Sequence, residues 1–183
     1  MANAEEASSE PAHYSAMEAR GLVHREQGDS DQAWRLLREN LSFAQRSGDP
    51  RRAALAGLHF ASVGRDPEEV RSLLDGAAAE LAKEPYNLAK IALWRGRRLL
   101  DFGRLADAAK ALDEAVERAE AEDLHNERMD ARRALADLAR VRRDVEGERE
   151  HLTRALEIAH LRGFGAEEEE IIDRLEQLPP PSQ

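Results

Sequence analysis

The chain has 183 residues, a formal net charge of −10 and no cysteine. The lack of cysteine excludes disulfide bonds, thiolate metal sites and a cysteine nucleophile. No apolar run approaches the roughly 18 residues that a membrane span requires, and the acidic N-terminal residues lack the apolar segment of a signal peptide. The length suits one domain with a continuous core. We therefore expect a cytoplasmic protein, and an all-α fold because no strand-like alternation is present.

The N-terminal third of the sequence predicts a tail followed by two helical hairpins. Residues 1–10 are small and acidic with little to bury, so we expect a disordered tail. Apolar residues then recur at helical spacing. The predicted helices cover 11–27 and 31–47 in the first hairpin and 51–63 and 67–83 in the second.

Two further hairpins and a final helix complete the predicted elements. The third hairpin, 88–119, turns at Gly103, because glycine readily adopts the left-handed conformation that ends a helix. The fourth covers 125–141 and 144–161. A last helix over 166–178 has one apolar side and one acidic side, which suits the end of a helical array. The proline-rich segment 179–183 then forms a short tail.

The hairpins are related by an internal repeat. Third-hairpin residues have counterparts 75 residues earlier, which corresponds to two periods of about 37. The matching sets are Gly96, Gly103, Ala108 and Leu112, and Gly21, Gly28, Ala33 and Leu37. A copy between them and one after them give successive spacings of 37, 38 and 40 residues. Self-similarity at such a period is typical of a helical solenoid.

The repeated pattern resembles the tetratricopeptide repeat, in which a small residue is followed by an alanine and then by a large apolar residue. The match covers residues 13–163 and is weaker in two copies. Leu58 and Val70 occupy the small positions of the second copy, and Glu148 replaces the alanine of the fourth, where Ala136 is acceptable. The long period is similar to repeats of bacterial signalling and regulatory proteins. An irregular antiparallel helical bundle is the alternative.

The resemblance implies a right-handed solenoid of about four helical hairpins with a C-terminal capping helix, forming a single domain over 11–178. The implied repeats lie at about 11–48, 49–84, 85–123 and 124–163. In this family the first helix of each hairpin lines the concave surface. Those helices carry a summed charge of +10, whereas the second helices carry −10. The resemblance therefore implies a basic groove in an acidic protein.

Arginines dominate the predicted groove, and their planar fork holds a carboxylate through two hydrogen bonds. Trp94 adds an aromatic residue of the type that dominates many interfaces, although it could instead wedge between neighbouring helices. The arginines could also simply pair with acidic residues of the second helices. The candidate partner-binding residues are Arg25, Arg52, His59, Lys90, Trp94, Arg97, Arg133, Asp137 and Arg140.

These features favour a non-enzymatic scaffold or adaptor that binds an acidic peptide or helix of a partner protein. A regulatory or sensor module of a bacterial signalling or transcription system is the alternative. We expect no metal, because the six histidines lack metal-ligand spacing. We also expect no catalytic site or cofactor, because the sequence has no phosphate-binding glycine loop, nucleophile elbow or catalytic set of serine, histidine and aspartate. A pI near 5.2 argues against nucleic acid, and a homo-oligomer is compatible with the sequence. Only Lys90 matches the clamp that related repeats use for chaperone tails, which argues against that role.

Overall fold

The computed structural model describes residues 2–180, with side chains from residue 14 onward. All regular elements in this range are α-helices, which confirms the all-α prediction. Within the same range, no helix combines the length and apolar character that crossing a membrane requires. The predicted tail residues 181–183 and Met1 lie outside the described part of the chain.

The chain divides into two compact units, Met1–Leu81 and Ala82–Gln183. The first unit contains α1 (Ala2–Glu26), α2 (Ser30–Arg46), α3 (Pro50–Ala61) and α4 (Pro67–Glu80). The second contains α5 (Pro85–Asp101), α6 (Leu105–Ala121), α7 (His125–Arg142), α8 (Val145–Arg162) and α9 (Gly165–Glu176).

Neighbouring helices pack in sequence within each unit. In the first unit α2 lies against both α1 and α3, and α3 against α4. Leu37 and Leu41 of α2 form its core with Ala56 and Phe60 of α3. In the second unit each helix from α5 to α8 packs on the next, α5 also contacts α7, and α9 packs on α8. Both units thus bury the apolar side of their amphipathic helices between neighbours.

Aspartates define where several helices begin. Each accepts a hydrogen bond from the backbone N–H three residues further on, which satisfies a group that the first helical turn leaves unpaired. These N-cap residues are Asp29, Asp49, Asp66 and Asp144. Proline at the first position of α3 and α4 reinforces the starts, since it needs no N–H there.

The first helix begins earlier than the sequence predicts. The structure has α1 starting at Ala2, whereas the predicted helix starts at residue 11. Alanine and glutamate dominate the added segment, and both have high helix propensity. Pro11 is the first residue of the predicted helix, yet the helical backbone continues through it.

Glycine allows close approach of the two helices in equivalent hairpins. A Cβ atom on Gly21 would lie 2.8 Å from Leu37 Cγ, and one on Gly96 would lie 2.5 Å from Leu112 Cγ. The second hairpin has a looser version, in which a Cβ on Gly57 would lie 3.4 Å from Leu73 Cδ2. This contact is one residue earlier than the Leu58 and Leu74 alignment suggested by the sequence, and it keeps the 16-residue spacing between glycine and leucine of the other two hairpins.

Candidate protein-interaction surface

The predicted partner-binding residues fall on both units, and each unit has its own arrangement. Arg25, Arg52 and His59 belong to the first unit. Arg25 of α1 donates from Nη1 to the Oγ of Ser62, the residue just after α3, at 3.0 Å. Arg52 places its guanidinium carbon 5.6 Å from the centroid of the Phe43 ring. These arginines therefore contribute to contacts within the unit, the second through a cation–π interaction.

A polar cluster joins the first three helices of this unit. His59 Nδ1 of α3 lies 2.5 Å from Glu18 Oε1 of α1. The buried Asn40 of α2 donates from Nδ2 to Glu18 Oε2 at 3.2 Å and to the Tyr14 carbonyl oxygen at 3.0 Å. Glu18 is not among the predicted binding residues, yet both His59 and Asn40 contact its carboxylate.

The environment of Glu18 favours its charged form. Hydrogen bonding to His59 is the main cause that lowers the pKa of the Glu18 carboxyl below its ordinary value of 4.5. The charge on His59, the hydrogen bond from Asn40 and the positive charge of Arg52 act in the same direction, and partial burial opposes them. His59 is consequently engaged within the protein.

In the second unit, an aromatic and basic stripe runs along α5. Tyr86, Lys90, Trp94 and Arg97 are spaced by four, four and three residues, so they share one side of the helix. Lys90 Nζ lies 4.7 Å from the centroid of the Tyr86 ring, and the Arg97 guanidinium carbon lies 5.1 Å from that of Trp94. We call these four residues the α5 stripe.

Arg133, another predicted binding residue, pairs with carboxylates of α7 and α9. Asp130 Oδ1 of α7 lies 3.4 Å from Arg97 Nη2 and 3.6 Å from Arg133 Nη1. Arg133 Nη2 also donates to both carboxylate oxygens of Glu170 on α9, at 2.6 Å each. A chain of alternating charges therefore links α5, α7 and α9, and it neutralises much of the positive charge predicted for this surface.

A second group of alternating charges lies further along α7. Arg174 Nη1 of α9 is 2.9 Å from Asp137 Oδ1, and its Nη2 donates to Glu148 Oε1 of α8 at 2.7 Å. The exposed Arg140 also reaches Asp137 Oδ1, at 3.2 Å. Asp137 is thus occupied by two arginines of its own unit.

The pairing separates the predicted residues into two groups. Arg97, Arg133, Asp137 and Arg140 have ionic partners within the second unit, and most of those partners lie on α7 and α9 rather than on the second helices of the hairpins. Lys90 instead contacts an aromatic ring and has no ion pair within the described part of the chain. Lys90 is consequently the predicted cation of this unit most available to an acidic partner.

Sequence reasoning missed several residues of the surface. Tyr86 is 46% exposed, an unusually open position for a large aromatic side chain. Its spacing of four residues from Lys90 was the available signal. Glu170 and Arg174 were missed because their partners lie on other helices, and a single sequence does not show how helices align. Asp130 lies three residues before Arg133 on α7, and that spacing was the available signal.

Comparisons with known proteins do not identify a relative. No protein-family model matches the sequence, and no curated protein matches it significantly. Within residues 14–180, no group of three histidine, aspartate or glutamate side chains is placed to hold a metal ion.

Proposed function

We propose that this chain is a non-enzymatic, cytoplasmic interaction module that binds an acidic segment of another protein on the α5 stripe. In this proposal the helices form about four hairpins similar to tetratricopeptide repeats, and α9 caps the last of them. The close contacts at Gly21 and Gly96 support the common hairpin plan, since both place a leucine of the second helix against a glycine of the first.

The observation that carries the binding proposal is the composition of the α5 stripe. It combines an exposed tyrosine, a lysine without an ion pair in the described range and a half-buried tryptophan beside an arginine. Tryptophan, tyrosine and arginine are the residues most enriched among those that dominate binding energy. The rings offer contact area at low entropic cost, while Lys90 attracts a carboxylate.

The ion pairs within the second unit reduce the number of predicted residues that a partner can contact directly. A partner that used Arg133 would have to displace the Glu170 carboxylate, which already accepts two short hydrogen bonds from it. Binding at Lys90 displaces no ion pair. The partner segment is therefore expected to carry its acidic residue near Lys90 and an apolar side chain near Trp94.

A matched pair of charge reversals tests this proposal. Lys90→Glu on the stripe and Lys110→Glu on the exposed side of α6 change the net charge equally. We expect Lys90→Glu to lower the recovery of partners from the native cytoplasm about tenfold at moderate salt, and Lys110→Glu to leave it close to wild type. Quantitative mass spectrometry of pull-downs measures the recovery.

Trp94→Ala separates the aromatic contribution from the charge. This variant should lose the same partners in both low and high salt, because its contact is apolar, whereas the effect of Lys90→Glu should be larger in low salt. Circular dichroism and thermal unfolding confirm that each variant is folded. Equal recovery by Lys90→Glu, Trp94→Ala and wild type would refute the assignment of the surface.

A further inference from the structure

A pocket of about 340 Å³ lies among α6, α7 and α8 of the second unit. Its charged lining consists of Glu120 of α6, Arg128 and Arg132 of α7, and Glu150, Arg154 and Glu157 of α8. The buried Ile158 adds an apolar wall. The α5 stripe contributes no residue to this lining, so the pocket is separate from the proposed binding surface.

Two ion pairs account for four of the six charged side chains. Arg132 Nη2 lies 3.3 Å from Glu120 Oε1, and Arg154 Nη1 lies 3.4 Å from Glu157 Oε2. Arg128 and Glu150 have no ion pair within the described residues. Of these two side chains, Arg128 is half-buried and Glu150 is exposed.

The unpaired charges lie towards opposite ends of the pocket. Because α7 and α8 are antiparallel about the turn at Arg143 and Asp144, Arg128 lies at about the level of Ile158. Glu150 is eight residues before Ile158 on α8, a separation of about 12 Å along the helix. The pocket therefore presents a positive site and a negative site that are well separated.

The pocket lining has equal numbers of arginines and glutamates, which disfavours simple ions of either sign. A simple anion such as phosphate would meet three carboxylates, and a simple cation would meet three guanidinium groups. A ligand with opposite charges at its two ends satisfies both unpaired side chains. An extended tripeptide is about 10 Å long, which is close to the separation of the two sites.

We propose that this pocket binds a free tripeptide, with its terminal carboxylate on Arg128 and its terminal ammonium group on Glu150. The guanidinium group of Arg128 donates to the carboxylate. The Glu150 carboxylate accepts hydrogen bonds from the ammonium group. Ile158 packs against the middle of the peptide.

Isothermal titration calorimetry of the full chain with Ala-Xaa-Ala peptides, in which Xaa is each of the twenty residues, tests this proposal. At least one free peptide should bind, and its N-acetylated and C-amidated forms should each bind about tenfold more weakly or less. Arg128→Met and Glu150→Gln should each weaken binding of the free peptide by a similar factor. Lys110→Gln, on the exposed side of α6, should leave binding unchanged.

The blocked peptides also distinguish the two ends of the site. Arg128→Met should no longer discriminate between the free and the C-amidated peptide, and Glu150→Gln should no longer discriminate between the free and the N-acetylated peptide. Circular dichroism confirms that the variants are folded. Failure of every peptide to bind the wild-type chain would overturn the proposal. Equal binding of acetylated and free peptides, or tighter binding of inorganic phosphate, would also overturn it.

Discussion

The α5–α6 and α7–α8 hairpins of the second unit align in sequence but carry different side chains at one corresponding buried position. Ala108 of α6 is fully buried, and the corresponding residue of α8 is Glu148, which is only 4% exposed. The carboxylate is tolerated because Arg174 of α9 donates to it at 2.7 Å. In the α5–α6 hairpin, which is followed by another hairpin, this position holds the methyl group of Ala108. In the last hairpin it holds the Glu148 carboxylate, which binds Arg174 of the final helix α9.

The two hairpins also differ where their first helix ends. Gly103 follows α5 with a φ of +74°, and Arg143 follows α7 with a φ of +61°. Glycine adopts this left-handed conformation without steric cost, but arginine does not. The last hairpin therefore departs from the repeat at both a buried position and a turn.

Removal of the charge partner should give the largest effect. Arg174→Met leaves Glu148 buried without a counter-charge, and breaking such a pair costs about 3–5 kcal/mol. We expect the free energy of unfolding to fall by about 3 kcal/mol in urea denaturation. Asp137 also loses a partner, but it is less buried and keeps Arg140.

The double variant Glu148→Ala with Arg174→Met restores the side chain that the α5–α6 hairpin has at this position. It should recover at least about half of the lost stability, since no buried charge remains. If the effects of the two single substitutions simply added, Glu148 and Arg174 would not be coupled and the comparison of the hairpins would fail.

Adding a methyl group at Gly96 of α5 should destabilise the α5–α6 hairpin. Gly96→Ala would place Cβ 2.5 Å from Leu112 Cγ and 3.1 Å from Leu112 N, so rotation of the leucine alone cannot relieve the clash. Overpacking of this kind costs about 1–3 kcal/mol. Thermal unfolding should show a clearly lower midpoint for the variant.

The corresponding residue of α7 is Ala136, which is buried and already has a Cβ atom. Ala136→Gly should cost about 1 kcal/mol through helix propensity and lost packing. A stabilised Gly96→Ala variant would show that α5 and α6 can separate freely, contrary to the close contact in the structure.

A carboxylate of the first unit, Glu18, provides a contrast with Glu148, because its side chain is 32% exposed whereas that of Glu148 is 5% exposed. The pKa of Glu18 is lowered mainly by His59, so its charged form stabilises the folded state. This stability is present above the ordinary pKa of 4.5 and is lost as the pH falls through the lower folded value. Glu18→Gln should cost about 1 kcal/mol near neutral pH.

Urea unfolding of wild type and Glu18→Gln between about pH 7 and about pH 3 measures this contribution. The difference in stability should shrink at the acid end of the range. A difference that stays constant across the range would mean that the carboxylate charge does not contribute.

The smallest effect is expected at the turns. Arg143→Gly should stabilise the protein by about 0.5 kcal/mol, because glycine removes the left-handed strain but also loosens the unfolded chain. Gly103→Ala should destabilise it by about 1 kcal/mol, although no neighbour lies within 4 Å of the added Cβ. A destabilised Arg143→Gly variant, or a Gly103→Ala variant as stable as wild type in urea denaturation, would contradict this account of the turns.

Much of the helix order could be predicted from the sequence, because apolar spacing and capping residues act locally. The predicted helices over 31–47 and 67–83 correspond to α2 and α4, with ends that differ by a few residues. The ionic partners could not be predicted, since Arg174 reaches Glu148 only through the packing of α9 on α8. Charge counts predicted a basic surface, but they cannot show which arginines are already paired.

Photo-crosslinking at two exposed positions of the second unit tests the binding surface most directly. A benzoylphenylalanine replaces Tyr86, at the end of the α5 stripe, or Leu161 of α8, which is 72% exposed. The binding proposal predicts that the same partners form adducts through position 86 and that competition with excess unmodified protein removes them, while position 161 gives none of them. Adducts of these partners at position 161 and none at position 86 would contradict it.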